Sequence, residues 1–146
     1  MAQGRAAREE RREHFGWWTK IASRWSDCDA YGHVNNATYY SWFDTALTTM
    51  AMERGILRAP GQTSIGLCVA SGCEFLAPVG FPATIDVGVR VGRIGSSSIR
   101  YELAIFSQDP EPAAVCHFTH VYVDAQTRKG VALTAEQKAA IGDLVI

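Results

Sequence analysis

The stretch RWSDCDAYGHVNNATYYSWFDTA, residues 24–46, decides how the chain is read. Asp27, Asp29, Gly32, His33, Asn35 and Asn36 stand close together, directly before an aromatic-rich run. From Asn36 to Arg54 the chain reads as one helix. Tyr39, Phe43, Ala46, Leu47 and Met50 recur at three- and four-residue steps and form a single apolar stripe. Gly55 suits the left-handed position that ends a helix. Such a helix is roughly 27 Å long, about the width of a small sheet. Gly32 permits a sharp bend before it.

The polar residues in front of the helix have a chemical reading and a plain one. Asn35 or Asn36 is a natural N-cap, which would leave the first-turn amides from Asn36 to Thr38 facing outward. Those amides carry the positive end of the helix dipole and suit a carbonyl oxygen that gains negative charge. Asp29 lies just upstream, and a carboxylate beside an oxyanion site is the minimum equipment for acyl transfer to water. The plain reading is equally open on these residues alone. Asp27 and Asp29 can be turn acids, His33 a packed hydrogen-bonded side chain, and Asn35 and Asn36 simple caps. Asp44 is read as structural.

Working outward, residues 3–14 are helix-prone and charged on most sides, which predicts a solvated lead-in helix or a frayed arm. A strand begins in WWTKIASRWS. Beyond the long helix everything reads as sheet. TSIGLCVASGCEFLAPV supplies one or two strands, broken near Pro78 and Gly80. TIDVGVRVGRI alternates, with Ile85, Val87, Val89 and Val91 on one face. IRYELAIF alternates again. AAVCHFTHVYVDA is apolar on both faces, which predicts a central strand or one packed on a second subunit. TAEQKAAIGDL closes the chain as a short helix, with Thr134 as N-cap and Gln137 completing a capping box. The fold class is α+β: an antiparallel sheet on a single long helix, with residues 1–16 as a charged lead-in and 17–146 as one domain. One helix cannot cover both faces of such a sheet, so the rest is expected to be buried by oligomerisation.

Hydrophobic residues make up 47% of the 146 and charged residues 20%, an ordinary globular composition. A net charge of −1 gives no overall attraction for nucleic acid or an anionic membrane. No apolar run approaches the roughly 20 residues of a spanning helix. The N-terminal stretch is charged where a signal peptide is apolar, so a cytoplasmic location is expected. Cys28, Cys68, Cys73 and Cys116 form no C-x-x-C pair and match no zinc spacing, and they read as small structural residues with free thiols. There is no G-x-S-x-G and no phosphate-binding glycine loop, and His117 and His120 lack the company of further metal ligands. No metal and no cofactor is expected.

At residues 24–46 the sequence resembles the D-x-D-x-x-G-H-V-N-N signature of the hotdog-fold acyl-CoA thioesterases, the branch that includes 4-hydroxybenzoyl-CoA thioesterase. The likeness runs over roughly residues 17–141, through CEFLAPVGFPATIDVGVRVGRIGSSSIRYELAIF and VCHFTHVYVDAQTRKGVAL. The resemblance implies a five- or six-stranded antiparallel sheet wrapped around the helix from Asn36. It implies a homodimer or homotetramer with active sites at the subunit interface, and hydrolysis of an acyl-CoA thioester. Asp29 matches the catalytic carboxylate, as nucleophile or general base, and the amides around Asn36 match the thioester-polarising helix terminus. His33 and Asn36 are expected to position the thioester or the water. Gly32, Asn35 and Tyr39 are expected at the substrate. Tyr39, Tyr40, Trp42 and Phe43 can line an acyl tunnel or belong to the core. HVNN replaces the more apolar residues of the benzoyl-CoA enzymes, which weakens the case for an aromatic acyl group. Serines stand in the hairpin RIGSSSIR where some relatives carry basic residues, so Arg93, Ser97 and Arg128 are the candidates for CoA contacts. A domain that binds acyl-CoA or an acyl carrier protein without hydrolysis is the alternative. The histidine and aspartate pattern of a hotdog dehydratase is absent.

Overall fold

The alternating runs pair as one antiparallel sheet. The computed structural model describes residues 6–58 and 61–146. Its strands are β1 (Trp17–Ala22), β2 (Ser64–Phe75), β3 (Thr84–Ile94), β4 (Ser98–Phe106) and β5 (Ala114–Asp124), in the order β1-β3-β4-β5-β2. The sheet is thus five-stranded, and TSIGLCVASGCEF is a single strand with a bulge between Cys68 and Ala70. β5 is an interior strand between β4 and β2, which accounts for its apolar residues on both faces.

Helix α1 (Asn36–Glu53) lies on one face of the sheet. Its stripe of Tyr39, Phe43, Ala46, Leu47 and Met50 is buried, with Trp42 beside it. These side chains share one core with Ile85, Val87, Val89 and Val91 of β3, all fully buried. Each large apolar side chain removed from water here contributes about 1.5–3 kcal/mol. The helix stops where the sequence indicates, at Arg54 followed by Gly55 with φ +75°. Helix α2 (Ala135–Ile141) begins with Thr134 and Gln137 exchanging hydrogen bonds as a capping box. It sends Ile141 into the same core.

The lead-in departs from the reading as a solvated helix or frayed arm. Residues 1–5 lie outside the described residues. Ala7–Glu9 and Arg12–His14 form two 3₁₀ turns laid against the sheet face opposite α1. Ala7 and Phe15 pack there with Ala104, Phe106 and Val115 in a second apolar cluster. Glu10 is fully buried. Its carboxylate accepts from both terminal nitrogens of Arg90 at 2.8 Å, while Arg90 Nε donates to Glu102 at 3.0 Å. Arg100 donates to the other oxygen of Glu102 at 3.1 Å. The cause is the alternation of β3, which turns Arg90 away from the helix and onto a face where only a partner charge can satisfy it. Part of the second face is therefore covered within the chain.

The cysteines also divide. Cys116 is buried, Cys28 and Cys73 are half-buried, and Cys68 is exposed, which a small structural residue packed in the core would not be. Cys68 sits on β2, an edge strand that pairs with β5 on one side and, among the described residues, with no strand on the other.

The loop from β1 to α1 is tied by Asp27, which is 2% exposed. Its carboxylate accepts from the Arg24 backbone N–H at 2.7 Å and from the Arg24 guanidinium at 2.8 Å. Its carbonyl accepts from Asn35 N–H at 2.8 Å, which joins the loop to the start of α1.

Two outcomes test this packing. Arg90→Ala removes the cation shared by the buried acids Glu10 and Glu102, leaving Glu10 with His14 and Glu102 with Arg100, and is expected to lower unfolding stability by about 3 kcal/mol in a urea titration. A change within experimental error would show that the cluster contributes nothing. For Asp27, the Arg24 side-chain hydrogen bond holds the carboxyl below its ordinary value. A folded pKa below the unfolded one gives stability that is present at neutral pH and lost as pH falls through the folded value. Asp27→Asn is therefore expected to be the less stable protein at pH 7. Because Arg24 is largely in solvent, the difference should be no more than about 1 kcal/mol. It should vanish well below about pH 4, and a difference that persists in acid would refute the ionic origin.

Candidate active site

The site is built by a short antiparallel loop that feeds directly into α1. Cys28 and Val34 face each other across it in an isolated bridge. Inside the bridge, Asp29 N–H donates to the His33 carbonyl at 2.7 Å, and Gly32 N–H to the Asp29 carbonyl at 3.2 Å. Gly32 takes φ +77°, the bend that only a residue without Cβ adopts freely. Val34 N–H donates to the Val79 carbonyl at 2.8 Å, which docks the loop against the segment after β2.

Asp29 is half-buried. Its Oδ1 accepts from the backbone N–H groups of Tyr31 at 2.8 Å and His33 at 3.2 Å. Among the described residues, Oδ2 has no hydrogen-bond partner. One oxygen thus fixes the carboxylate, and the other is open to the cavity side among the described residues.

The helix start is more selective than the sequence alone predicts. Asn35 is the N-cap, with its Oδ1 accepting from Ala37 N–H at 2.9 Å. Its carbonyl accepts from Thr38 N–H, also at 2.9 Å. Of the three first-turn amides expected to face outward, Asn35 consumes two. The Asn36 N–H is the one left without a partner among the described residues, and it stands at the positive end of the 18-residue helix.

Asp29, His33, Asn36 and Tyr39 line one cavity of about 410 Å³. The opposite wall is Phe75–Pro78, which the sequence reading passed over as the break after a strand. The run FLAPV carried the signal, an apolar segment that a proline keeps from continuing as strand. Tyr39 is a wall residue. Its ring meets Phe75 edge-on at 5.1 Å, and its hydroxyl accepts from Val79 N–H at 3.1 Å. Burial pushes the Tyr39 hydroxyl above its ordinary value. Trp42 and Phe43 belong to the core, and Tyr40 is half-buried against Phe118. Gly32 and Asn35 shape the loop and the helix start. The His33 ring is exposed at the cavity.

Arg93, Ser97 and Arg128 do not join this cavity. β3 starts beside the site loop, where Thr84 pairs with Ala22, and ends at Ile94 after 11 residues in all. Arg93 and Ser97 are therefore at the far end of the sheet, roughly 34 Å along the strand. Arg128 lies in the turn after β5, at that same end, with φ 62°. No helix among the described residues is long and apolar enough to cross a membrane.

Known proteins place this geometry. The profile of the thioesterase-like superfamily matches residues 23–141. The crystal structure of the PA5185 protein from Pseudomonas aeruginosa is 45% identical, covering 92% of this chain and 95% of that one, with a TM-score of 0.87. The uncharacterized protein YsmA of Bacillus subtilis is 23% identical over 133 residues, 91% of this chain and 90% of its own. Slr0204, a 1,4-dihydroxy-2-naphthoyl-CoA thioesterase from Synechocystis, shares the fold at 17% identity and a TM-score of 0.78, covering 87% of this chain and 96% of its own. One helix wrapped by a five-stranded antiparallel sheet is the hotdog fold, and the chain belongs to the thioesterase-like superfamily.

Proposed function

We propose that this protein hydrolyses an acyl-CoA thioester to the free acid and CoA, with Asp29 as the catalytic carboxylate and the Asn36 amide as the oxyanion donor. One observation carries the reading: a half-buried carboxylate with a free oxygen shares a cavity with the one unpaired amide of the α1 N-terminus. The thioester carbonyl oxygen accepts from Asn36 N–H, and the helix dipole favours the negative charge it gains in the tetrahedral intermediate. Asp29 Oδ2 then either takes the proton of a water that attacks the carbonyl carbon or attacks that carbon itself. The carbon–sulfur bond breaks and the thiolate leaves as CoA after taking up a proton. Where Asp29 is the nucleophile, water then opens the acyl–aspartyl anhydride, releasing the free acid and restoring the carboxylate. Hydrogen bonds from Tyr31 and His33 N–H to Oδ1 hold the carboxylate in place. The His33 ring and the Asn36 side chain orient the water or the thioester. Tyr39 and Phe75 exclude solvent from one side.

The same reading makes the working unit at least a dimer, and a homotetramer is compatible with it. β2 is a 12-residue edge strand with Leu67, Val69 and Phe75 exposed, a row of unpaired backbone groups that invites a partner strand. β2 runs from the far end of the sheet to Phe75 at the cavity wall. Two such edges paired antiparallel about a two-fold axis bring the far end of one protomer to the cavity of the other. That end carries Arg128, with Arg93 and Ser97 beside it, so cations remote from Asp29 within a chain become candidates for the CoA phosphates across the interface. Free thiols and a CoA substrate fit a cytoplasmic enzyme.

A panel of short, long, branched and aromatic acyl-CoAs, followed with a thiol reagent, tests the chemistry. Asp29→Asn is expected to lower kcat by about 10²–10⁴ on the best substrate with the fold retained by circular dichroism. Unchanged turnover would remove Asp29 from the mechanism, and tight binding with no thiol released by the wild type would make the protein a binder of acyl-CoA or of an acyl carrier protein. For the assembly, Val69→Lys places a charge on the exposed strand edge. Light scattering is expected to show a dimer or tetramer for the wild type and a smaller species for the variant, and identical masses would place the interface elsewhere.

A further inference from the structure

Two of the four thiols lie directly opposite each other across the sheet. Cys73 of β2 pairs in register with Cys116 of β5. Opposed residues on antiparallel strands point to the same face, with Cα atoms about 4.5–5.5 Å apart. A disulfide spans Cα separations of about 4.4–6.8 Å, so this pair can be bridged with the backbone as it stands. Both side chains face α1, and Cys73 lies two residues before Phe75 on the strand that leads to the cavity wall.

We propose that Cys73 and Cys116 form a reversible dithiol–disulfide site that exchanges with small disulfides of the glutathione class. The assignment rests on strand register and on the unequal burial of the two sulfurs, and is independent of the thioesterase reading.

The two sulfurs are not equivalent. Cys73 is half-buried on the edge strand, whereas Cys116 is 5% exposed on an interior strand. The hydrogen bond between the thiols holds Cys73 below its ordinary value and pushes Cys116 above it. Cys73 is thus the sulfur that meets a reagent first, and Cys116 resolves. In the first step the Cys73 thiolate attacks one sulfur of oxidised glutathione, and the glutathione S–S bond breaks to release one glutathione thiolate. In the second, Cys116 gives its proton to that thiolate and attacks Cys73 Sγ, which breaks the mixed disulfide and releases the second glutathione. Two protein thiols are oxidised and one glutathione disulfide is reduced to two thiols. The product covalently joins β2, the edge strand that carries Phe75, to β5.

The full chain incubated with oxidised glutathione tests this, read by intact mass and by peptide mapping without reduction. The expected product is lighter by two hydrogen atoms, contains a peptide linking Cys73 to Cys116, and is restored by dithiothreitol. The double variant Cys28→Ser/Cys68→Ser is expected to form the same bond, since it retains only the opposed pair. Cys116→Ser is expected to stop at the mixed disulfide, with one glutathione held on Cys73. A wild-type protein that stops at a stable glutathione adduct on Cys73, that links Cys68 instead, or that keeps all its thiols would overturn the assignment.

Discussion

A single helix must cover a whole sheet face, and the rest of the molecule follows from the fact that it can cover only one. α1 takes the inner face with six buried side chains, from Tyr39 to Met50. The outer face then needs another cover at each place where apolar or charged groups emerge on it. At the β3–β4 end the chain supplies that cover itself, by laying Ala7–Phe15 across Ala104, Phe106 and Arg90. At the β2 end it supplies none, and Leu67 and Val69 remain in solvent. The asymmetry is informative. One half of the outer surface is managed with a buried ionic cluster, and the other half, at the β2 edge, is the surface the proposed dimer uses.

The same helix also fixes the chemistry available at its start. A helix leaves its first amides without partners, and most helices satisfy them with a cap and water. Here Asn35 satisfies Ala37 with its side chain and Thr38 with its carbonyl, while Asp27 holds Asn35 in place from behind. What remains is one amide, at Asn36, aimed into a cavity that also holds Asp29. Capping and the open amide are therefore parts of one arrangement, because the residue that stabilises the helix selects which amide is left without a partner among the described residues.

Much of this was legible in the sequence for simple reasons. Periods of two in β3 and β4 and of three to four in α1 are local patterns that mark the face turned to the core, although Arg90, Glu102, Ala104 and Phe106 on the other face are buried as well. Asn35, Gly32, Gly55 and Thr134 each meet a conformational demand set by their immediate neighbours. What was hidden is non-local. Glu10 and Arg90 are 80 positions apart, and nothing in a charged lead-in announces that one of its acids will be fully buried. The wall Phe75–Pro78 becomes part of the site only because Val79 hydrogen-bonds to both Val34 and Tyr39. The exposure of Cys68 depends on strand order, which alternation alone does not specify. Arg93, Ser97 and Arg128 looked like companions of the motif because a sequence carries no end-to-end distance.

That last separation bears on what a protomer can do by itself. The cavity beside Asn36 has a carboxylate, an amide and two aromatic or aliphatic walls, yet it holds no cation, and a CoA thioester carries several phosphate charges. Within one chain the candidate cations stand a full strand length away, too far for any side chain to reach. Shifting loops cannot close such a gap, because β3, β4 and β5 are rigid rods with their ends fixed by the ladder. Only the symmetry of an edge-to-edge pair reverses one strand against the other and brings those opposite ends together. On the proposed acyl-CoA reading, one association meets both the need to bind phosphate and the need to cover β2, and the bare edge strand belongs to the proposed site as much as Asp29 does.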